Sequence, residues 1–236
     1  MKNLLENVEG IKKRTATVFF LIDKSGSMAG TKIGSVNHAM GESIPEMCKL
    51  VEDNADANLN IAVLLFSNGA QWMTPTPVNV ADFHWNNIDA EYVTDFGVAL
   101  KMLNEKLNRN ENGFMKDASE SFAPAFILMS DGQPTDDYKN QLEKLKNNGW
   151  FKNGTRTAIA IGNDADKNIL SEFTGNTESV IEVHNAKDLA KVIKFVSITS
   201  SQVVTSASSS IMSGDGDDTT PIITVPDDLL DDYNEF

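Results

Sequence analysis

The sequence predicts an α/β fold: a doubly wound, mostly parallel central sheet with helices on both faces and one short antiparallel edge strand. Three observations predict this class. Short apolar runs of strand length alternate along the chain with longer runs of helical spacing. The short runs are apolar throughout, which is typical of strands buried on both faces of a parallel sheet. Two of them end abruptly at an aspartate, and open α/β sheets bind ligands at the carboxyl ends of their strands.

Five segments are predicted to be strands because they are brief, apolar and bounded by turn residues. They are Ala16–Ile22, Leu59–Phe66, Ala125–Met129, Thr157–Ile161 and Val180–Val183. After the second of these strands, Asn68 and Gly69 form a turn signal that predicts a hairpin. Pro75 and Pro77 follow, so the edge strand there is expected to be short.

The segments between the strands carry apolar residues at intervals of three and four, which predicts amphipathic helices. These stripes are Val36, Met40, Ile44, Met47 and Val51; Val98, Leu100, Leu103 and Leu107; Leu142 and Leu145; and Leu189, Val192, Ile193 and Val196. Helices that alternate with strands in this way cover both faces of a doubly wound sheet.

Length and composition indicate one domain, residues 1–204, followed by an acidic, disordered tail, residues 205–236. A chain of 236 residues suits one substantial α/β domain with an appendage. The tail is rich in Ser, Gly and Asp, and it holds eight of the 34 acidic residues without any Lys or Arg. Two small apolar clusters within it leave open a docking motif that becomes ordered on binding.

The net charge of −14 argues against nucleic acid as a partner, because an acidic chain without a basic stripe repels phosphodiester backbones. Cations and basic protein surfaces are the more natural ligands. Cys48 is the only cysteine, so no internal disulfide or cysteine cluster is expected. No apolar run approaches the ~18 residues of a membrane helix or resembles a signal peptide. We therefore expect a cytoplasmic protein that does not contact a membrane.

The first predicted strand stops at Asp23, and two hydroxyls follow at alternate positions, Ser25 and Ser27. Three oxygen donors beyond the carboxyl end of a buried strand suit a hard cation such as Mg²⁺, which takes a few protein oxygens and keeps some waters. This Asp-x-Ser-x-Ser pattern therefore predicts one loop of a cation site.

Other strand ends offer compatible oxygens. A later strand ends at Asp131, where Gly132 and Pro134 turn the chain away. In a doubly wound sheet Asp23 and Asp131 would face each other where the strand order reverses. Between them in the chain, Thr94 stands at a helix start and offers a third-loop hydroxyl, with an ordinary N-cap as its alternative role.

Together these segments resemble the metal-ion-dependent adhesion site of von Willebrand factor A domains: Asp-x-Ser-x-Ser, a Thr before a Gly-containing helix start, and Asp-Gly at a later strand end. The resemblance covers about residues 15–200. It implies that Ser25, Ser27 and Thr94 bind Mg²⁺ through their hydroxyls, with Mn²⁺ or Ca²⁺ as alternatives. It also implies that Asp23 and Asp131 contact the ion directly or through water.

The same resemblance implies a Mg²⁺-dependent protein-interaction module, in which an Asp or Glu of the partner becomes the last ligand. Within the family the chain is most similar to the bacterial TerY-type proteins of tellurite-resistance and stress operons, on residues 130–136 and the Ser-rich end of the last helix. This similarity implies a role in stress, tellurite resistance or defence, with a kinase or phosphatase of the same system as partner.

Two other functions stay open. A strand-terminal Asp also begins the motif of haloacid-dehalogenase phosphatases, so a metal-dependent phosphatase-like hydrolase is an alternative. That chemistry uses Asp-x-Asp, and Ser25 stands where the proton-shuttling carboxylate belongs. The three histidines are isolated, so no catalytic residue and no enzyme activity are expected. In the other alternative, the acidic tail supplies an aspartate to the metal and the protein inhibits itself.

Overall fold

The computed structural model describes residues 14–52, 57–91, 93–116, 121–206, 222–226 and 229–230. The strands are β1 (Arg14–Asp23), β2 (Ala57–Ser67), β3 (Gly69–Trp72), β4 (Val78–Asn79), β5 (Ala125–Ser130), β6 (Thr155–Ile161) and β7 (Val180–Val183). The helices are α1 (Thr31–Glu52), α2 (Phe96–Lys106), α3 (Lys139–Lys146), α4 (Gly149–Asn153), α5 (Lys167–Thr174) and α6 (Ala186–Ser206). Each of the five predicted strands lies within one of these strands.

The strands form one sheet in the order β3-β2-β1-β5-β6-β7, with the two-residue β4 also paired to β2. β1 is central and pairs in parallel with β2 on one side and β5 on the other. β5, β6 and β7 continue in parallel, whereas β3 and β4 run antiparallel to β2. The predicted doubly wound, mostly parallel sheet with an antiparallel edge is confirmed, and the strand order reverses at the β1–β5 boundary.

The two faces of the sheet pack against chemically different cores. Alternate residues of β1 divide between them: Phe20 and Ile22 belong to the side covered by α1 and α6, which is otherwise mainly aliphatic. Phe19 belongs to the other side, covered by α2, α3 and α5, where aromatic rings dominate. There Phe19 stacks on Phe126 with ring centroids 5.3 Å apart. Burial on both faces explains why the β1 sequence is apolar at every position from Ala16 to Ile22 except Thr17.

Two short pieces of the predicted tail lie on the α1–α6 side of the domain. Ile223 is only 3% exposed and belongs to the apolar core there, with Val225 and Leu229 packed against it. Lys191 of α6 donates a hydrogen bond to the backbone oxygen of Leu229 across 3.2 Å. Residues 207–221, 227–228 and 231–236, on which the prediction of a disordered tail also falls, lie outside the described residues.

None of the helices within the described ranges is both long enough and apolar enough to span a lipid bilayer. Cys48 is partly buried in α1 and carries a free thiol.

Candidate metal centre

The end of β1 brings Asp23, Ser25 and Ser27 together. Asp23 is fully buried, and its Oδ1 accepts the backbone N–H of Ser25 at 2.8 Å. A turn of 3-10 helix at Gly26–Met28 follows, and it leaves the hydroxyl oxygens of Ser25 and Ser27 3.0 Å apart, within hydrogen-bonding distance. The three oxygen-bearing side chains of the predicted pattern therefore converge.

Asp131 joins this group from the neighbouring strand. It directly follows β5, and the preceding residue, Ser130, donates its hydroxyl hydrogen to Asp23 Oδ2 across 2.6 Å. Asp131 is 0% exposed, yet neither of its carboxylate oxygens has a hydrogen-bond donor among the described residues. Among the described residues, the cationic group nearest to Asp131 is the ammonium of Lys32, 3.8 Å from Oδ2. A buried carboxylate without donors is costly, and a bound cation would remove that cost.

Thr94 is held next to the loop that follows Asp131. It is 4% exposed, and its backbone oxygen accepts two hydrogen bonds from Thr135, from N at 2.8 Å and from Oγ1 at 3.1 Å. In return, Thr94 N donates to Thr135 Oγ1 at 3.3 Å. Thr135 therefore joins the loop that contains Thr94 to the loop that follows Asp131, and the five predicted ligands lie at or beyond the carboxyl ends of the strands.

The start of α2 is capped by a residue that the sequence did not suggest. The N–H groups of Gly97 and Val98 donate to the carboxylate of Asp136, at 3.0 and 3.2 Å. Asp95, at the N-cap position, makes no side-chain cap and instead accepts the N–H of Gly69 at 2.7 Å. The hydroxyl of Thr94 makes no capping bond to α2, so the geometry leaves it available to a ligand.

Burial raises the pKa of Asp23 from 3.8 to about 6, because the charged carboxylate loses its hydration. The hydrogen bonds from Ser130 and Ser25 oppose this rise, and the negative charge of Asp131 adds to it. At the rim, the hydrogen bond from Lys24, at 2.7 Å, holds the pKa of Glu91 below its ordinary value. The burial of Asp23 beside the negative charge of Asp131 makes its carboxylate form costly, and a bound cation would offset that cost.

The donor set consists of oxygens. Across the described part of the chain, no three side chains among His, Cys, Asp and Glu come together as a metal-binding group. An ion at the centre would therefore depend on hydroxyls and water as well as the two carboxylates. Oxygen ligands of this kind suit hard cations such as Mg²⁺ and Ca²⁺ rather than ions that prefer nitrogen or sulfur. The residues present fit such an ion.

Several residues that shape the centre were not singled out from the sequence. Ser130, Thr135 and Asp136 lie in the same segment as Asp131, so their position beside a predicted ligand was the available signal. Lys32 lies in the first turn of α1, five residues after Ser27, and no sequence pattern connects it to Asp131. Its proximity to Asp131 depends on the tertiary fold, which places the start of α1 near the residue that follows β5.

The family model of the von Willebrand factor type A domain matches residues 17–195. Among solved structures, the fold is similar to a von Willebrand factor type A protein from Catenulispora acidiphila, at 18% identity and a TM-score of 0.56. It is also similar to proximal thread matrix protein 1 of the mussel byssus with a zinc-occupied MIDAS motif, at 20% identity and 0.57. A third is the pilus adhesin SpaC of Lactobacillus rhamnosus GG, at 11% identity and 0.61.

The similarity covers 80%, 80% and 82% of this chain, respectively, but only 43%, 48% and 31% of those proteins. The chain therefore corresponds to less than half the length of each of them. Among curated protein sequences, none matches the chain.

Proposed function

Because the chain belongs to the von Willebrand factor type A domain family, we propose that it is a protein-interaction module that binds an acidic side chain of a partner through a divalent cation. Domains of this family mediate protein–protein interactions. The observation that carries the proposal is the carboxylate of Asp131, which is fully buried, lacks hydrogen-bond donors in the described residues and lies beside converging hydroxyls. Its burial without donors supports a cation as its partner.

The chemistry of the site also favours a partner carboxylate as the last ligand. Ser25, Ser27 and Thr94 supply neutral oxygens, so a bound ion keeps much of its positive charge and attracts an acidic side chain. We propose Mg²⁺ as the ion, with Mn²⁺ and Ca²⁺ as alternatives. The mussel protein holds zinc at its MIDAS motif, so zinc belongs in any titration of this chain.

The test uses peptides that carry Glu or Asp, matched to peptides with Gln or Asn, immobilised and probed with the full chain. We expect binding to the acidic peptides in Mg²⁺, and loss of binding in EDTA or after Asp23→Ala. Asp82→Ala is the matched control, because Asp82 is an exposed aspartate outside the centre. Binding that survives EDTA, or that Asp82→Ala abolishes equally, would contradict the proposal.

We propose that this chain is not an enzyme. Ser25, where a phosphatase of the Asp-x-Asp type has its second carboxylate, supports this, since a serine hydroxyl cannot shuttle protons as a carboxylate does. Incubation with Mg²⁺ and a phosphomonoester tests the point. Turnover that disappears in Asp23→Asn would establish the hydrolase instead.

The biological setting is proposed from the sequence resemblance to TerY-type proteins alone. In that setting the protein acts in the bacterial cytoplasm in stress, tellurite resistance or defence, and its partner is a kinase or phosphatase of the same system. Co-expression of the chain with such proteins from its own genomic neighbourhood, followed by Mg²⁺-dependent co-purification, tests the assignment.

Self-inhibition by the acidic tail is a second candidate, and the packing of Ile223, Val225 and Leu229 on the domain supports it. The variant with Asp231→Asn, Asp232→Asn and Glu235→Gln removes the carboxylates that follow Leu230 in the sequence and leaves Ile223, Val225 and Leu229 unchanged. Self-inhibition predicts that acidic peptides bind this variant more tightly than the wild type. Equal affinity would rule out those carboxylates as competitors.

A further inference from the structure

Lys32 lies beside the candidate metal centre, and the proposed function gives it no role. Its ammonium is 3.8 Å from Asp131 Oδ2 and 3.6 Å from Asp164 Oδ1, and its side chain is only 13% exposed. Both distances exceed hydrogen-bond length, so the ammonium is shared between two carboxylates without being fixed to either. One of these carboxylates, Asp131, is a predicted ligand of the ion, whereas the side chain of Asp164 is 64% exposed.

The surroundings leave room for the ammonium at this place. Gly162 has a left-handed backbone, φ +98°, and a Cβ at this position would lie 2.8 Å from Lys32 Nζ and 3.0 Å from Asp164 Oδ1. A side chain there would crowd both charged groups. Asp164 is also bound by Gln133, whose Nε2 donates to the backbone oxygen of Asp164 at 3.0 Å and to its Oδ2 at 3.3 Å.

The helix to which Lys32 belongs does not explain its position. The N-terminus of a helix carries partial positive charge, so the first turn favours acidic residues and disfavours a lysine. α1 has no acidic residue in its first turn, and Lys32 stands there instead. The charge is therefore balanced by the two carboxylates that lie across from it.

We propose that Lys32 is an internal counter-ion that neutralises Asp131 in the metal-free protein and passes to Asp164 when a divalent cation binds. This inference rests on the ion of the proposed function and adds a determinant of its affinity. A buried carboxylate needs a cation, and either the ammonium or the metal can meet that need. Both cannot stay close to Asp131 without repelling each other, and Asp164 gives the ammonium a second, exposed partner.

The first test measures Mg²⁺ affinity of the full chain by isothermal titration calorimetry. Lys32→Met keeps the apolar stem and removes the charge, so the dissociation constant should fall about tenfold, which corresponds to the loss of one nearby like charge. Lys167→Met is the matched control, because Lys167 pairs with Glu182 at 3.1 Å rather than with Asp131. We expect it to leave the dissociation constant unchanged. An unchanged constant in Lys32→Met would overturn the inference.

The second test separates a transfer of Lys32 from a general effect of charge. Asp164→Asn removes the alternative partner, so Mg²⁺ should bind several-fold more weakly. In the Lys32→Met background the same change should have no effect, because no ammonium remains to be moved. If Asp164→Asn weakens binding equally in both backgrounds, Asp164 acts only through its own charge and the transfer is ruled out.

A third test measures the stability of the metal-free protein. In EDTA, Lys32→Met should lower the thermal unfolding midpoint, because Asp131 loses its counter-ion, and adding Asp131→Asn should restore most of the loss. No restoration would contradict the pairing. Wild-type protein that binds none of Mg²⁺, Mn²⁺, Ca²⁺ and Zn²⁺ would refute the proposed function itself, whereas normal wild-type binding with unaltered variants would refute only the role of Lys32.

Discussion

Ser130 donates its hydroxyl hydrogen to Asp23 Oδ2 across 2.6 Å, and this bond joins the carboxyl ends of the two central strands inside the protein. It is shorter than the bond from Ser25 N to Asp23 Oδ1, and it stabilises the charged form of a carboxylate whose protonation burial favours. The bond therefore favours the ionised form of Asp23, which is the form that attracts a cation.

Ser130→Ala should weaken the binding of Mg²⁺. A hydrogen bond to a charged group contributes roughly 1.5–3 kcal/mol, so the dissociation constant should rise about tenfold or more at neutral pH. Calorimetric titration measures it. Ser43→Ala is the control, because Ser43 is an equally buried serine that bonds only Ala39 O within α1. Equal Mg²⁺ affinities of the two variants would show that the hydrogen bond from Ser130 does not contribute to metal binding.

The stability of the metal-free protein should depend on pH through Asp23. Its pKa is about 6 in the folded protein against an ordinary value of 3.8, so the folded state holds this proton more tightly than the unfolded state. The stability that protonated Asp23 contributes is therefore fully present below pH ~4. The free energy of unfolding should then fall by roughly 3 kcal/mol as pH rises to and beyond about 6.

Urea unfolding in EDTA between pH 4 and 7.5 measures this dependence, with Asp23→Asn as the reference that lacks the titrating group. The difference between wild type and variant isolates Asp23 from all other groups. Saturating Mg²⁺ should flatten the curve by stabilising the carboxylate form. A difference that stays constant across this range would contradict the assignment.

Asp136→Ala should destabilise the start of α2, because two N–H groups lose their acceptor. Loss of a helix cap costs about 1 kcal/mol in the free energy of unfolding, with a range of roughly 0.5–2. Asp136→Asn keeps an acceptor oxygen and should lose less. Asp137→Ala, at the exposed neighbouring position, serves as control for charge. Chemical denaturation measures all three, and equal losses for Asp136→Ala and Asp137→Ala would contradict the capping role.

Ile223→Ala should destabilise the whole domain, although the residue lies beyond the predicted domain boundary. Ile223 is 3% exposed in the core beside α6, and truncating a buried isoleucine costs about 2 kcal/mol or more. Ile222→Ala is a control one residue away, since Ile222 is 40% exposed and should lose no more than about 0.5 kcal/mol. Urea unfolding of both variants distinguishes a packed position from a peripheral one.

The sequence predicted the architecture well because the deciding signals are local. β1 is buried on both faces, so its residues had to be apolar at nearly every position, and this made the central strand recognisable. The rule that strand order reverses next to the first strand then correctly placed Asp131 beside the end of β1. Asp23, Ser25 and Ser27 were predicted from a motif of fixed spacing and Thr94 from its place at a helix start, and their role as metal ligands stays a prediction.

The contacts that tune the site could not be predicted, because they join residues far apart in the chain. Asp136 caps α2 by accepting the N–H of Gly97, which is 39 residues earlier, and no pattern in either segment predicts this contact. Lys32 lies near Asp131 although the two residues are far apart in the chain. Ile223 packs in the core, whereas its apolar cluster indicated only that a docking motif was open and did not indicate where on the domain it would pack. Such contacts depend on three-dimensional packing rather than on local periodicity.

The distance along the chain between β1 and β5 also determines when the candidate metal centre forms during folding. Asp23 and Ser130 are 107 residues apart, so the two strands meet only after a long loop has closed at a cost in chain entropy. Pairings of this kind form late and slow the folding of a chain. A nascent or partly folded copy with intact helices has no such centre, and an ion that binds only finished copies shifts the equilibrium toward them. Under the proposed function, a partner that requires the bound ion would therefore bind only completed molecules.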